Sequence, residues 1–272
     1  MTLFPNAKIN IGLYVKAKRD DGYHNIESLF YPLCLRDALE FVVQEGRGKS
    51  DELRTTGFET NCRMEENLVM KALGLIRGKY TIPPLRLHLH KAIPPGSGLG
   101  GGSSDAAFML RYLNRHFKLG INDEELTAMA LQIGSDCAFF IANKPSFISG
   151  RGELIRESSL NLGGKYLLLV YPGININTTQ AYTMVTPRDP GISLEEKIKL
   201  PPASWRNNIR NDFQDVIKRV HPHIGDIIDS IYDHGATYCS LSGSGSAVYG
   251  IFDRLPADYD PGYGHWTWAG KL

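Results

Sequence analysis

The chain has 272 residues, 42% of them hydrophobic and 22% charged, with a formal net charge of +1. That composition is globular, and the charge offers no electrostatic hold on nucleic acid or an anionic membrane. No apolar run reaches the roughly 18 residues of a membrane span. The start, MTLFPNAKINIGLYV, lacks the charged-then-apolar order of a signal peptide. Four scattered cysteines without a CxxC pair read as buried, reduced thiols of a cytoplasmic protein.

Residues 6–17 alternate loosely (Ile9, Ile11, Leu13, Val15) and predict a strand, followed by a turn at RDDGYH, 19–24. Residues 26–45 predict two more strands, and the polar stretch 46–62 a hairpin region. A helix is predicted from Glu65. Leu85, Leu87 and Leu89 alternate with Arg86, His88 and His90, which predicts a strand. PPGSGLGGGSS follows at 94–104, and then Ala106, Leu110, Leu113 and Phe117 recur at helical spacing until Gly120. Ser104 or Asp105 is the expected cap of that helix. Another helix is predicted near Asn122, with Glu125 in capping-box position. Gly134 ends it, and Ser135 is placed to cap the short helix DCAFFIA. LLLV at 167–170 predicts a buried strand, 186–204 an irregular stretch with one helical turn, and 211–233 a helix interrupted by Pro222. Residues 236–252 read as two strands around a Ser/Gly turn. Strands and helices mix without strict βαβ alternation, so the fold class is α+β. A soft division near residue 155 separates 1–155 from 156–272.

The glycine loop carries the chemistry. Glycine admits positive φ and close approach of backbone to a ligand. Successive N–H groups can then converge on an anion, helped by the positive end of the following helix. A flexible linker does not sit between a strand and a well-formed helix. Gly96, Gly98 and Gly101 match GxGxxG, but the region beyond reads as a turn and a helix rather than the second strand and acid of a dinucleotide site. No Lys-Ser or Lys-Thr follows, which excludes a P-loop. The loop is therefore a phosphate cradle of another kind.

Three further motifs accompany it. Asp136 in GSDCAFF either steadies a helix N-terminus or does chemistry. LSGSGSAVYG at 241–250 is either an ordinary hairpin or a second functional turn. Lys8 in PNAKIN lies within an apolar strand and points either to solvent or inward, where its ammonium needs a partner such as Asp136.

Together AKIN, GSGLGGGSSDAA and SGSGSAVYG resemble the motifs of the GHMP kinase superfamily, over residues 5 to about 250. RDDGYH joined to AKIN is similar to one member, whose acceptor is the tertiary 2-hydroxyl of a cytidine diphosphate-linked methylerythritol. The resemblance implies a two-domain α+β kinase, ATP-binding in 1–155 and substrate-side in 156–272, with its site in the cleft between domains. It implies transfer of the γ-phosphoryl of ATP, with Mg2+ held through ATP and a ligand in Ser104. Lys8 and Asp136 take the catalytic positions. Pro94, Pro95, Gly96, Ser97, Gly98, Leu99, Gly100, Gly101, Gly102, Ser103 and Ser104 fall on the ATP loop, with Asn67 and Lys91 at the adenine pocket. Asn10, Tyr23, His24 and Tyr182 fall on substrate positions, the aromatic ones on cytosine. Cys137-Ala138 departs from the Val-Pro common among members, which touches packing beside Asp136 and not the acid. The alternatives are a homoserine or mevalonate type of kinase, or a nucleotide-binding module without catalysis.

Overall fold

The computed structural model describes residues 2–46, 50–60, 62–260, 262 and 264–272. The first strands are β1 (Thr2–Leu3), β2 (Asn6–Lys18), β3 (His24–Arg36), β4 (Ala38–Val43) and β5 (Glu52–Gly57). Next come α1 (Leu68–Arg77), β6 (Leu85–Lys91), α2 (Gly101–Phe117), α3 (Asp123–Ile133) and α4 (Ser135–Ala142). Strands β7 (Ser146–Gly150), β8 (Leu154–Glu157) and β9 (Tyr166–Tyr171) precede α5 (Thr178–Met184), α6 (Leu194–Ile198), α7 (Trp205–Asn208), α8 (Gln214–Val220) and α9 (Pro222–Asp233). The chain closes with β10 (Tyr238–Leu241), β11 (Val248–Phe252) and β12 (Trp266–Lys271).

Two compact units interleave along the sequence. One comprises Met1–Ala7, Leu35–Pro95 and Gly100–Lys144; the other comprises Lys8–Cys34, Gly96–Leu99 and Pro145–Leu272. The boundary therefore cuts through the glycine loop twice.

The first unit holds the sheet β1-β4-β6-β5. The period-2 pattern of β6 turns Leu85, Leu87 and Leu89 into the core. Residues 46–62 do not form the expected hairpin. Their strand β5 runs parallel to β6, with Leu53 opposite Leu87. A parallel pair needs a crossover, which α1 supplies, burying Val69, Leu73 and Ile76. Positions 47–49 and 61 of that stretch lie outside the described residues. The predicted capping box at Asn122 is present: its Oδ1 accepts the Glu125 N–H at 2.9 Å. Helix α2 starts earlier than the sequence suggests. Its cap is Gly100, left-handed at φ 72, and the Ser104 N–H already donates to the Gly100 carbonyl at 2.9 Å. Ser104 and Asp105 are thus buried helix residues rather than caps. Ser135 likewise is the first helical residue of α4, after an extended Gly134.

The second unit holds the sheets β2-β3-β7-β8 and β10-β11-β9-β12. Strand β2 does not alternate: every residue from Asn6 to Val15 is buried. Leu13, Val15, Val170, Phe213, Ile228 and Val248 share one apolar cluster in this unit. The 211–233 segment breaks where predicted, with Pro222 opening α9, a position whose missing N–H costs the helix nothing. The C-terminal WTWAGK, which carries no sequence signal of its own, pairs antiparallel with β9, Trp268 opposite Leu169. All four cysteines are free thiols, but only Cys137 and Cys239 are buried; Cys34 and Cys62 are exposed, against the sequence expectation. Cys34 follows the outward register of β3, between buried Leu33 and Leu35. Among the described residues, no helix is long and apolar enough to cross a membrane.

Candidate active site

In the second unit the tip of the glycine loop is fastened by backbone and side chains together. The Lys8 N–H donates to the Leu99 carbonyl at 2.9 Å, and the Ala247 N–H to the Ser97 carbonyl at 3.0 Å. The Gly98 carbonyl accepts from Ser242 Oγ at 2.8 Å and from Lys8 Nζ at 3.1 Å. Gly98 itself sits at φ +83, and a Cβ there would meet the Ser242 carbonyl oxygen. Leu99 is fully buried. The Ser/Gly turn of 241–250 is thus a fastening for the loop, and not a plain hairpin.

Lys8 is only 2% exposed, which settles the inward orientation that the sequence left open. Its ammonium donates to Asn10 Oδ1 at 2.6 Å and stands 4.3 Å from the centre of the Phe30 ring. Both are favourable to a buried cation. Asn10 in turn donates to Ser28 Oγ at 3.0 Å, and its backbone is held by Ser242 and by the Tyr249 hydroxyl at 2.7 Å. Sequence reasoning missed Ser28 and Asn211, and marked Ser242 and Tyr249 only as part of the 241–250 motif. Asn211 is 3% exposed and donates to the carbonyls of Leu241 and Gly243 at 3.0 and 2.8 Å, holding the 241–250 turn.

His24 and Tyr182 stack, with ring centres 4.8 Å apart and planes at 14°. Phe213 meets Tyr182 edge-on at 4.9 Å. Partial burial, and then Lys18, push the His24 pKa down, which favours a neutral ring. Tyr23 stands apart from this stack, exposed, with the Arg151 guanidinium 5.0 Å from its ring centre.

The first unit carries the rest of the loop and the helix behind it. Pro94 is buried and Pro95 half-buried, and the helical N–H groups of Gly101, Gly102 and Ser103 begin α2. These first-turn donors have no partner four residues back, and no acidic side chain lies in that turn. The geometry suits an anion. Asn67 caps α1, its Oδ1 accepting the Val69 N–H at 3.0 Å. Lys91, 3% exposed, pairs with Asp37 and with Asp105, the latter at 2.7 Å. Burial disfavours the Lys91 charge, but Asp105 and Asp37 outweigh it and raise its pKa. Burial pushes the Asp105 carboxyl up to about 7 despite Lys91 beside it. Asp136 is half-buried in the first turn of α4. Its neighbour Cys137 is buried, which pushes the thiol up to about 12, with Ser103 acting the other way.

Loop, helix and sheets of this kind belong to a recognised class of small-molecule kinases. The model of the GHMP kinases N terminal domain matches residues 67–144, and that of the GHMP kinases C terminal matches 194–258. These enzymes use ATP and a small-molecule acceptor. A 4-diphosphocytidyl-2-C-methyl-D-erythritol kinase of Parabacteroides distasonis is 48% identical over 254 residues, 93% of this chain and 92% of the relative. One from Bacteroides thetaiotaomicron is 45% identical over 93% and 92% of the two chains. A crystal structure of a 4-(cytidine 5'-diphospho)-2C-methyl-D-erythritol kinase superposes with a TM-score of 0.78 at 29% identity, covering 92% of this chain and 90% of that one. A homoserine kinase from Cytophaga hutchinsonii, at 15% identity and TM-score 0.67, shares the fold. The chain belongs, within the GHMP kinases, to the family of 4-diphosphocytidyl-2-C-methyl-D-erythritol kinases.

Proposed function

We propose that the chain transfers the γ-phosphoryl group of ATP to the 2-hydroxyl of 4-diphosphocytidyl-2-C-methyl-D-erythritol, giving the 2-phosphate and ADP on the non-mevalonate route to isoprenoid precursors. The observation that carries this reading is the 48% identity, across 93% of the chain, to a relative of that name. Residues 1–155 carry the nucleotide side together with the substrate residues Asn10, Tyr23 and His24, and residues 156–272 carry the rest of the substrate side. Lys8–Cys34 and Gly96–Leu99 are built into the same compact unit as the latter.

Phosphoryl transfer has a loose transition state, so the protein mainly positions groups and stabilises charge. Within the loop from Pro94 to Ser104, the N–H groups that open α2, those of Gly101, Gly102 and Ser103, take the phosphates at fixed distances that need no reorganisation. Asp136 receives or orients the hydroxyl proton, and the Lys8 ammonium balances charge on the transferred group. Asn10 keeps Lys8 aimed. Its amide retains a second hydrogen and a second lone pair for the polyol. Asn67 and Lys91 serve the adenine side. The Lys91 ammonium is committed to two carboxylates.

Mg2+ bound with the phosphates would supply neutralisation of their charge. Ser104 Oγ is buried without a hydrogen-bond partner, and an oxygen donor of that kind suits a hard cation. His24, Tyr182 and Tyr23 hold the cytosine. Van der Waals contact between ring planes is about 3.5–4 Å, so a base sandwiched between two rings needs about 7 Å. The His24–Tyr182 separation of 4.8 Å is therefore a closed state that opens by roughly 2 Å on binding.

ADP release with three acceptors tests the reading. Turnover of the cytidine diphosphate-linked alcohol alone is expected. Turnover of homoserine or mevalonate with none of that alcohol overturns it, as does ATP binding without turnover of any acceptor.

A further inference from the structure

Asp37 joins β3 to β4 and is 1% exposed. Its backbone N–H is tied to the Pro5 carbonyl at 2.8 Å, so the carboxylate is presented from a fixed point. Oδ1 accepts the N–H groups of Ala92 and Ile93 at 2.6 and 2.8 Å. These are the last two residues before the Pro94-Pro95 entry to the glycine loop. Oδ2 pairs with Lys91 Nζ, which also pairs with Asp105 of α2. The same ammonium lies 3.1 Å from where a Gly101 Cβ would stand. One buried carboxylate therefore holds the strand-side lead into the loop and, through Lys91, the first turns of the helix on its far side. Breaking one partner of a buried, hydrogen-bonded charge set leaves the others uncompensated, so the arrangement resists small displacements.

We propose that Asp37 is a positioning residue for the nucleotide: it fixes the entry of the glycine loop against α2 and so sets the affinity for ATP without touching it. This rests on the reading of the loop as the ATP phosphate site. Misplacement by about 1 Å costs on the order of 100-fold in a preorganised site. Asp37→Ala removes every side-chain contact, whereas Asp37→Asn keeps an oxygen for the two amides and loses the charge and the acceptor that faces Lys91.

The test measures ATP dissociation constants by calorimetry, both KM values by ADP release, and amide exchange over 92–104. Asp37→Ala is expected to weaken ATP binding and raise KM for ATP by about 10–100-fold, leaving KM for the alcohol within about twofold. Asp37→Asn is expected to recover part of the affinity, with faster exchange confined to 92–104. ATP affinity within twofold of wild type in a folded Asp37→Ala overturns the proposal. So does an equal rise of both KM values. If Asp37→Ala does not fold, Asp37→Asn decides: unchanged exchange over 92–104 with unchanged ATP affinity overturns it. The kinase reading fails separately, if the wild type turns over none of the cytidine-linked alcohol while ATP binding still responds to Asp37.

Discussion

The tip of the glycine loop and the His24–Tyr182 pair belong to the same compact unit and are built on opposite terms. The tip is held by four hydrogen bonds to Lys8, Ser242 and Ala247, and at Gly98 there is no space for even one extra carbon. The ring pair is half-buried and closed face to face, resting on Phe213. Phosphate recognition needs fixed distances, and backbone supplies them. Recognition of a flat base needs two planes that can part and close again, and side chains at the surface do that cheaply. On the proposed reading, in which the tip takes phosphate and the rings take the base, the site divides its stiffness between its two ligands.

The comparison breaks most sharply at the chemistry. Asp136→Asn is expected to keep ATP affinity and lose turnover by about 10²–10⁴-fold; unchanged turnover in rapid-quench assays removes Asp136 from the proton's path. Next is Gly98→Ala, which adds a Cβ at positive φ against the Ser242 carbonyl. ATP binding is expected to weaken by about 100-fold, and calorimetry within a few fold of wild type means the tip is softer than its hydrogen bonds imply.

His24→Ala sharpens the other side. Loss of one stacking partner is expected to raise KM for the cytidine-linked alcohol by roughly 5–150-fold, since base–aromatic stacking contributes about 1–3 kcal/mol. ATP affinity should stay level; an equal loss there moves His24 away from the base.

The smallest effect is a slope. The Asp105 carboxyl ordinarily titrates near 3.8 and is raised to about 7 in the folded chain by burial. Between those values the folded state holds a proton that the unfolded chain has released, so stability from this group is full below the lower value and is lost as pH rises toward the upper one. The melting temperature is expected to fall from pH 5 to pH 7.5, and Asp105→Asn to flatten that fall. Parallel curves for the two proteins would sink this assignment.

How much of this was legible depends on how far apart in sequence the partners lie. The β6 alternation, the Asn122 capping box, the Pro222 break and the glycine loop are local patterns, and each is where the sequence puts it. The start of α2 was misplaced because serine is the better cap in general, while here the left-handed Gly100 turns the chain and Gly101 packs close to Ile93. Residues 46–62 suggest a hairpin because turn-rich sequence carries no mark of a parallel partner beyond a helix. Ser242, Asn211 and Asp37 look like ordinary polar residues until Gly98, Leu241 and Ala92 arrive beside them from distant positions. The inward turn of Lys8 was readable only as a condition, since a buried cation depends on Asn10 and Phe30 being there to receive it.

Interleaving of the two units has a cost during synthesis. Strand β2 leaves the ribosome well before its partners: Leu13 waits for Arg210 and Asp212, and Asn10 waits for Tyr249. Nascent chains that stop short of these partners display a ten-residue row of side chains meant for the interior, the kind of surface that aggregates or recruits chaperones. The enzyme is therefore most vulnerable before it is finished, and a C-terminal truncation that spares every residue assigned to ATP or substrate still unmakes the strand that carries Lys8.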